Sequence, residues 1–298
     1  MLFLSHPSRR YSAGAGLALA LLLGACTESK TPDIPPPVVT PTATNAEAKD
    51  YAAYTELAWS DEFGGSGPLD ASKWMYDLGN NNGWGNNELE YYTNSTDNVS
   101  QSGGNLVIQA LRQSASGFAY TSGRVLTKNK KDFQYGRIDV RAKVPQGKGL
   151  WPAIWMLGSD IDQNNWPKCG EIDMMELRGQ RPTEILSTMH FADNAGNHKQ
   201  DGIEPVKLPD GGSFADDFHT YSVVRSKDQM RFYVDGKQYY SFTTSNTSPY
   251  AYPFNNNFFV VLNVAVGGNF LGTGGNPDAS TVFPQQMLVD YVRYYQYK

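Results

Sequence analysis

The chain has 298 residues, a formal net charge of −5, two cysteines and 13% aromatic residues. The acidic balance argues against nucleic acid or another polyanion as a partner. Two cysteines cannot form a disulfide framework, and no Cys/His spacing typical of a zinc site is present in the sequence. We expect a monomer.

The first segment has the features of a secretory signal. Arg9-Arg10 precede an apolar run ending at Leu23, which is too short to span a membrane as a stable helix. Leu23-Gly24-Ala25-Cys26 resembles the lipid-attachment motif of bacterial lipoproteins, which implies a signal peptide over 1–25 and a lipidated Cys26. An ordinary signal peptide with an incidental cysteine is the alternative. Because Thr27 rather than an Asp follows the cysteine, we expect an outer-membrane or cell-surface address in the bacterial envelope.

A tether and then one all-β domain are predicted to follow. Residues 26–56 are rich in Pro and Thr, which favours an extended spacer. Asp235-Gly236 between two alternating runs predicts a tight hairpin. Beyond the signal, no stretch of ten residues has a helical stripe, apart from a short piece near Ala46–Tyr54. Residues 57–298 therefore predict a two-sheet antiparallel β-sandwich, with strands expected at Asn105–Arg112, Arg137–Val144, Gly149–Leu157, Gly170–Leu177, Glu184–Phe191, Phe218–Arg225, Phe258–Val266 and Met287–Tyr297.

The strand predicted over Gly170–Leu177 carries three acids and no basic residue. On a helix, Glu171 and Asp173 would point about 200° apart, whereas on a strand they share a face. Glu176 joins that face only if one extra residue intervenes, which predicts a β-bulge at Met174-Met175. Clustered carboxylates split their pKa values and so supply both an acid and a nucleophile. Retaining glycoside hydrolysis needs such a pair about 5–5.5 Å apart. A solvated acidic strand is the alternative.

The sequence Glu-Ile-Asp-Met-Met-Glu over 171–176 resembles the signature of glycoside hydrolase family 16, in its bulged, laminarinase-type form. The resemblance extends over nearly all of residues 57–298, through Asp61-Glu62-Phe63, Asn81–Thr93, Tyr135-Gly136-Arg137, Gly149–Leu157, Phe218–Tyr221, Leu262–Gly268 and Val289–Arg293. It implies a concanavalin-like jelly roll with a concave substrate cleft. It also implies that Glu171 is the nucleophile, that Glu176 is the acid/base, and that Asp173 holds Glu171 by a hydrogen bond.

Aromatic and polar residues are candidates for contacts with sugar. Trp151 and Trp155 are four apart on a strand and therefore face the same way, on the cleft floor by resemblance or in the core as the alternative. Trp84 lies in a Gly/Asn-rich loop, which favours exposure and a stacking role. The remaining candidates, for each of which a structural role is the alternative, are Asn82, Arg124, His190 and Asn263.

A calcium site is predicted away from the acids of the signature. Asp290 is expected on a strand face with Val292 and Tyr294, where an unpaired carboxylate would be costly. Relatives in the resembled family hold a structural Ca²⁺ with residues that match Glu62, Asp290 and the carbonyl of Gly104. Pairing with Arg or Lys is the alternative. No cofactor is expected for the reaction.

These features predict a retaining endo-β-1,3-glucanase that acts on laminarin-like β-glucan. Two alternatives stay open at this stage. One is a related hydrolase of mixed-linkage glucan or of a galactan such as agar or carrageenan. The other is a non-catalytic β-glucan-binding lectin on the same fold, although pure binding does not need three clustered acids.

Overall fold

The structure is a computed structural model, and it describes residues 46–298. The predicted signal peptide, Cys26 and most of the predicted tether lie outside the described residues. Within residues 46–298, no helix is both long and apolar enough to span a bilayer.

Almost all of the regular secondary structure in the described residues is β-strand. Its helical parts are the four-residue α1 (Thr244–Thr247) and 3₁₀ turns at Tyr51–Ala53, Gly83–Gly85, Pro253–Asn255 and Asn269–Leu271. The strands are β1 (Glu56–Asp61), β2 (Met75–Tyr76), β3 (Glu90–Tyr92), β4 (Val99–Ser102), β5 (Asn105–Ala110), β6 (Tyr120–Ser122), β7 (Arg124–Leu126), β8 (Gly136–Lys143), β9 (Leu150–Gly158), β10 (Glu171–Leu177), β11 (Ile185–Ala192), β12 (His198–Gly202), β13 (His219–Ser226), β14 (Gln229–Val234), β15 (Lys237–Thr243), β16 (Phe258–Val266) and β17 (Gln285–Gln296).

Two large antiparallel sheets form the sandwich, as predicted. The eight-stranded sheet has the order β15-β14-β13-β8-β17-β5-β4, with β1 also paired to β17. The seven-stranded sheet has the order β12-β11-β10-β9-β16-β7-β2. A separate two-stranded pair, β3 and β6, is parallel. Because β10 lies between β9 and β11, the acids of the signature are held well inside the seven-stranded sheet.

The main core lies between the two large sheets. Along β8, Ile138, Val140 and Ala142 are buried in this core, while the alternate residues face outward, as the period of two requires. All nine residues of β16 are buried, since a second layer of side chains covers its outer face. The expected strands are confirmed in position, and Asp235 and Gly236 have φ of 49° and 73°, as a tight hairpin turn requires.

The packed domain begins earlier than the predicted boundary at residue 57. Tyr54 is fully buried in a cluster with Val224 and Tyr233 on the outer face of the eight-stranded sheet. Arg137 donates a hydrogen bond to the carbonyl oxygen of Tyr51, at 2.8 Å. Aromatic side chains thus fix the N-terminal strap (residues 46–55) to this face. The tether remains a prediction for residues 26–45, which precede the strap.

Candidate active site

The predicted bulge in β10 is present, and it places the three acids on one face. Glu171 lies opposite His190, and Asp173 lies opposite Thr188, whereas Glu176 pairs only after a shift in register. The same shift occurs against β9. The two intervening methionines are buried in the main core. The outer face of the seven-stranded sheet therefore carries all three carboxyl groups.

Burial dominates the electrostatics of these acids. Asp173 and Glu176 are 4% and 8% exposed, and no Lys or Arg within residues 46–298 forms an ion pair with any of the three. Burial, followed by repulsion from Asp173, raises the pKa of Glu171 to about 7. Burial raises the pKa of Asp173 to about 8 and that of Glu176 well above its usual range. Burial therefore raises these pKa values more than the like-charge repulsion expected from the clustered carboxylates.

Ring nitrogens hold each carboxyl group in place. Trp166 Nε1 donates to Glu171 Oε2 at 2.8 Å, and Trp151 Nε1 donates to Glu176 Oε1 at 3.1 Å. His190 Nε2 lies 3.0 Å from Asp173 Oδ2. Such contacts restrict the rotamers of the carboxyl groups, as a preorganised site requires. Sequence reasoning missed Trp166; its signal was a tryptophan in a polar loop five residues before the first acid.

Trp151 and Trp155 lie on the same outer face of β9, as predicted. Trp151 is only 8% exposed and stacks on Phe270 with ring centroids 4.7 Å apart. Trp155 is partly exposed and donates through Nε1 to Asn263 Oδ1 at 2.7 Å. Asn263 also points to this face, but its amide donates to the hydroxyl of Tyr92 at 3.1 Å. Trp155 thus offers more ring surface to a ligand than Trp151 does.

Arg124 supports two aromatic rings. Its guanidinium lies 4.3 Å from the ring centre of Trp84 and 4.7 Å from that of Trp155, and its Nε is 3.0 Å from Asp77 Oδ2. Arg124 is 9% exposed, so most of it lies under the surface. Asn82 and Trp84 lie in the neighbouring loop, where Asn82 is exposed and Trp84 partly exposed. The structure therefore brings Trp84, Trp155 and Arg124 together beside the acids.

A second pair of buried acids, missed at the sequence level as a pair, lies behind these rings. Glu88 Oε2 accepts a hydrogen bond from the Tyr92 hydroxyl at 3.1 Å, and Glu90 Oε2 accepts one from the backbone of Val266 at 2.6 Å. Burial raises the pKa of Glu88, and burial together with repulsion from Glu88 raises that of Glu90 well above its usual range. These acids end a hydrogen-bonded chain that runs through Tyr92 to Asn263.

Both carboxylates predicted to bind calcium have an arginine partner. Glu62 is bound at both oxygens by Arg293, at 3.0 and 2.7 Å, and Asp290 is 2.7 Å from Arg141 Nη1. Gly104 is in the turn between β4 and β5, with φ of 78°. The carboxylates as placed do not fit a shared Ca²⁺, because both are already neutralised.

The prediction that Asp290 shares a strand face with Val292 and Tyr294 was also wrong. A bulge between Val289 and Tyr291 changes the register of β17. Val292 and Tyr294 consequently point into the main core, while the side chain of Asp290 is 38% exposed. An exposed carboxylate beside an arginine has no need of a metal ion.

Comparisons with known proteins agree with this geometry. The model of the family described as glycosyl hydrolases family 16 matches residues 86–293. Glucan endo-1,3-beta-glucosidase A1 of Niallia circulans is 44% identical over 80% of this chain and 38% of its own length. A beta-glucanase of Rhodothermus marinus is 40% identical over 85% of this chain and 89% of its own length.

A solved structure is similar over most of its length. The catalytic domain of an endo-1,3-beta-glucanase (laminarinase) from Thermotoga petrophila RKU-1 aligns with a TM-score of 0.74 at 39% identity. The alignment covers 82% of this chain and 98% of that domain. The chain thus spans less than half of the N. circulans protein but most of the other two.

Proposed function

Because the chain belongs to glycosyl hydrolases family 16, we propose that it hydrolyses internal β-1,3-glucosidic bonds of laminarin-like β-glucans with retention of configuration. The observation that carries this proposal is the outer face of β10, where three acids lie together and no Lys or Arg of residues 46–298 forms an ion pair with them. Burial of carboxyl groups without a counter-ion costs folding free energy. Glycoside hydrolysis needs a pair of such groups, one as acid and one as nucleophile.

The electrostatics support distinct roles for the acids. Glu176 has its pKa raised well above the usual range and therefore holds a proton near neutral pH, as a general acid must. Glu171, with a pKa raised to about 7, is substantially ionised there, as a nucleophile must be. Asp173 lies between them on the same face, where its charge raises the pKa of Glu171 and a hydrogen bond links the two carboxyl groups.

The reaction then proceeds in two balanced steps. A carboxylate oxygen of Glu171 attacks the anomeric carbon while Glu176 gives its proton to the departing glycosidic oxygen, which leaves a glycosyl ester on Glu171. Glu176, now ionised, takes a proton from water, and the resulting hydroxide attacks the same carbon and releases Glu171. Inversion at each step gives net retention. The carboxyl groups supply all of the proton transfers, so no cofactor enters the reaction.

The aromatic rings beside the acids support a glucan substrate. Trp155 and Trp84 present partly exposed rings, which suit the apolar faces of glucosyl units. The N. circulans relative is named for 1,3-β-glucan and the T. petrophila domain is called a laminarinase. These names support the same linkage here.

Product analysis tests the substrate. The full chain carrying Cys26→Ser is incubated with laminarin, lichenan, agarose and carrageenan, and the products are separated by size. Short oligosaccharides from laminarin, with fewer from lichenan, are expected. Products from a galactan alone would overturn the substrate while leaving the acid roles standing. Binding to laminarin without products from any of the four would favour a lectin.

We further propose that the protein is a lipoprotein of the bacterial envelope, held in the membrane through Cys26. The Leu-Gly-Ala-Cys sequence supports this, and Cys26 lies outside the described residues. The test is incorporation of a labelled fatty acid in cells, followed by separation of inner and outer membranes. Wild type should be labelled and found with the outer membrane. An unlabelled wild-type chain, or equal labelling of Cys26→Ser, would contradict the anchor.

A further inference from the structure

Two of the catalytic acids and a histidine converge on one point of the outer face of β10 and β11. One carboxylate oxygen from each of Glu171 and Asp173 and one ring nitrogen of His190 all lie within 4.8 Å of one another. Nε2 is 3.0 Å from Asp173 Oδ2 and 3.8 Å from Glu171 Oε1. Ligand atoms bound to tetrahedral Zn²⁺ at about 2.0–2.1 Å are about 3.3 Å apart, and the two distances fall on either side of that value.

The ligand atoms are free to bind. Asp173 is 4% exposed, and its Oδ2 accepts no well-aligned hydrogen bond; its nearest neighbour is Nε2 of His190, the other proposed ligand, at 3.0 Å. Trp166 occupies the other oxygen of Glu171, Oε2, which leaves Oε1 on the side of His190. Two carboxylate oxygens and one imidazole nitrogen thus form a three-atom ligand set.

A further histidine orients the imidazole. His190 Nδ1 and His198 Nε2 are 2.7 Å apart, and the two rings are stacked at 5.0 Å. Metal-binding histidines typically engage their second ring nitrogen in such a hydrogen bond, which fixes the tautomer and the ring plane. In the tautomer in which His190 Nδ1 donates to His198 on β12, Nε2 of His190 is free to bind a metal ion.

We propose that Glu171, Asp173 and His190 form a binding site for a divalent transition-metal ion of the zinc type, and that bound metal blocks hydrolysis by occupying the nucleophile. Imidazole favours Zn²⁺ and Cu²⁺ over Mg²⁺ and Ca²⁺, which prefer all-oxygen sites. The inhibition rests on the function proposed above, whereas binding of the metal does not.

Calorimetric titration with ZnCl₂ tests the site directly. The full chain carries Cys26→Ser in every sample, which removes a zinc-binding thiol, and Cys169 is fully buried. One strong Zn²⁺ site is expected, with Mg²⁺ at the same concentration failing to compete. His190→Asn and Glu171→Gln should each weaken binding at least about tenfold, and His198→Asn about tenfold through His190.

His219→Gln provides the matched control. This histidine also contacts a carboxylate, Asp235, at 2.8 Å, but it lies on the eight-stranded sheet, so its loss should leave zinc affinity unchanged. Melting temperatures of all variants confirm that they are folded. Absence of a strong site in wild type, equal affinity in His190→Asn, or a loss in His219→Gln equal to that in His190→Asn would each overturn the site.

Kinetics on laminarin test the inhibition separately. Zinc should raise the apparent KM of the wild type at concentrations that match the calorimetric affinity, and a chelator should restore it. Zinc that binds without slowing hydrolysis would overturn the regulatory part. If the chain did not hydrolyse glucan at all, the titration would still decide the metal site.

Discussion

The two outer faces of the sandwich differ in whether their acidic side chains have arginine partners. On the eight-stranded sheet, the carboxylates of Asp139 and Asp290 each lie beside an arginine of β8, Arg137 and Arg141. On the seven-stranded sheet, the acids of β10 are more deeply buried as a group, and no Lys or Arg of residues 46–298 pairs with them. On both faces the acids lie on strands whose side chains alternate between the core and the outer face. This alternation alone does not distinguish structural acids from catalytic ones.

The presence or absence of a counter-ion does separate them. In a buried ion pair the two charges neutralise each other, so the pair can have a purely structural role. Burial raises the pKa of Asp139 too, but Arg137 opposes that shift. No Lys or Arg of residues 46–298 pairs with the acids of β10, so their protons stay available for transfer near neutral pH. The comparison therefore predicts that changes on one face affect turnover and that changes on the other affect stability.

The largest expected effect is the loss of turnover in Glu176→Gln. The amide cannot donate a proton to the departing oxygen, so kcat on laminarin should fall about 10²- to 10⁴-fold, while affinity for laminarin is retained. Arg141→Gln, on the opposite face, should leave kcat unchanged. Near-normal turnover in Glu176→Gln would remove this residue from the reaction.

A large loss of stability is expected from Arg137→Met. Asp139 is 4% exposed, so removal of its arginine leaves a buried charge uncompensated and should cost about 3 kcal/mol of unfolding free energy. The matched control is Arg141→Met, two residues along β8. Its ion pair is more exposed, at 36% and 38% for the two side chains, and should be worth less than about 1 kcal/mol.

Urea unfolding at pH 7 measures both arginine variants against the wild type. Arg137→Met should unfold at clearly lower urea concentration and keep the wild-type kcat per folded molecule. Equal stability of the two variants would show that burial does not distinguish the two pairs.

A smaller effect is expected on the pH profile of Asp173→Asn. Repulsion from Asp173 raises the pKa of Glu171, so the neutral amide should let Glu171 ionise at lower pH. In wild type, kcat/KM should fall as the pH drops through about 7, because the nucleophile becomes protonated. In Asp173→Asn, this acid limb should move to lower pH. A shift toward higher pH would contradict the assigned coupling.

The smallest expected effect concerns calcium. Because arginines already neutralise Glu62 and Asp290, addition of Ca²⁺ after treatment with EDTA should not change the melting temperature measurably. A rise of several degrees that Glu62→Gln abolishes would restore the calcium site predicted from the sequence.

Alternation along strands predicted much of this molecule. The period of two located most of the long strands. The two methionines between Asp173 and Glu176 required a bulge, which the structure contains. The bulge in β17 was not predicted, because it follows from pairing with β8 rather than from local residue types. One extra residue there moved Asp290 from the expected buried face to a half-exposed one.

Contacts between distant segments were also beyond the sequence. Trp166 reaches Glu171 through the path of a loop, and His198 reaches His190 across a strand pair. The N-terminal strap was assigned to the tether because no hydrophobic periodicity precedes Leu57, although Tyr54 is fully buried. Periodicity shows which face a side chain occupies, but not which partner it meets there.

The central claim is that the acids without counter-ions on β10 perform retaining hydrolysis of β-1,3-glucan, with Glu171 as the nucleophile. Proton NMR of the anomeric signals during the first minutes of laminarin hydrolysis tests it most directly, with Glu171→Ala measured alongside. The account predicts that the β-anomer appears first and mutarotates later, and that Glu171→Ala forms no product. Initial release of the α-anomer, or wild-type turnover by Glu171→Ala, would contradict it.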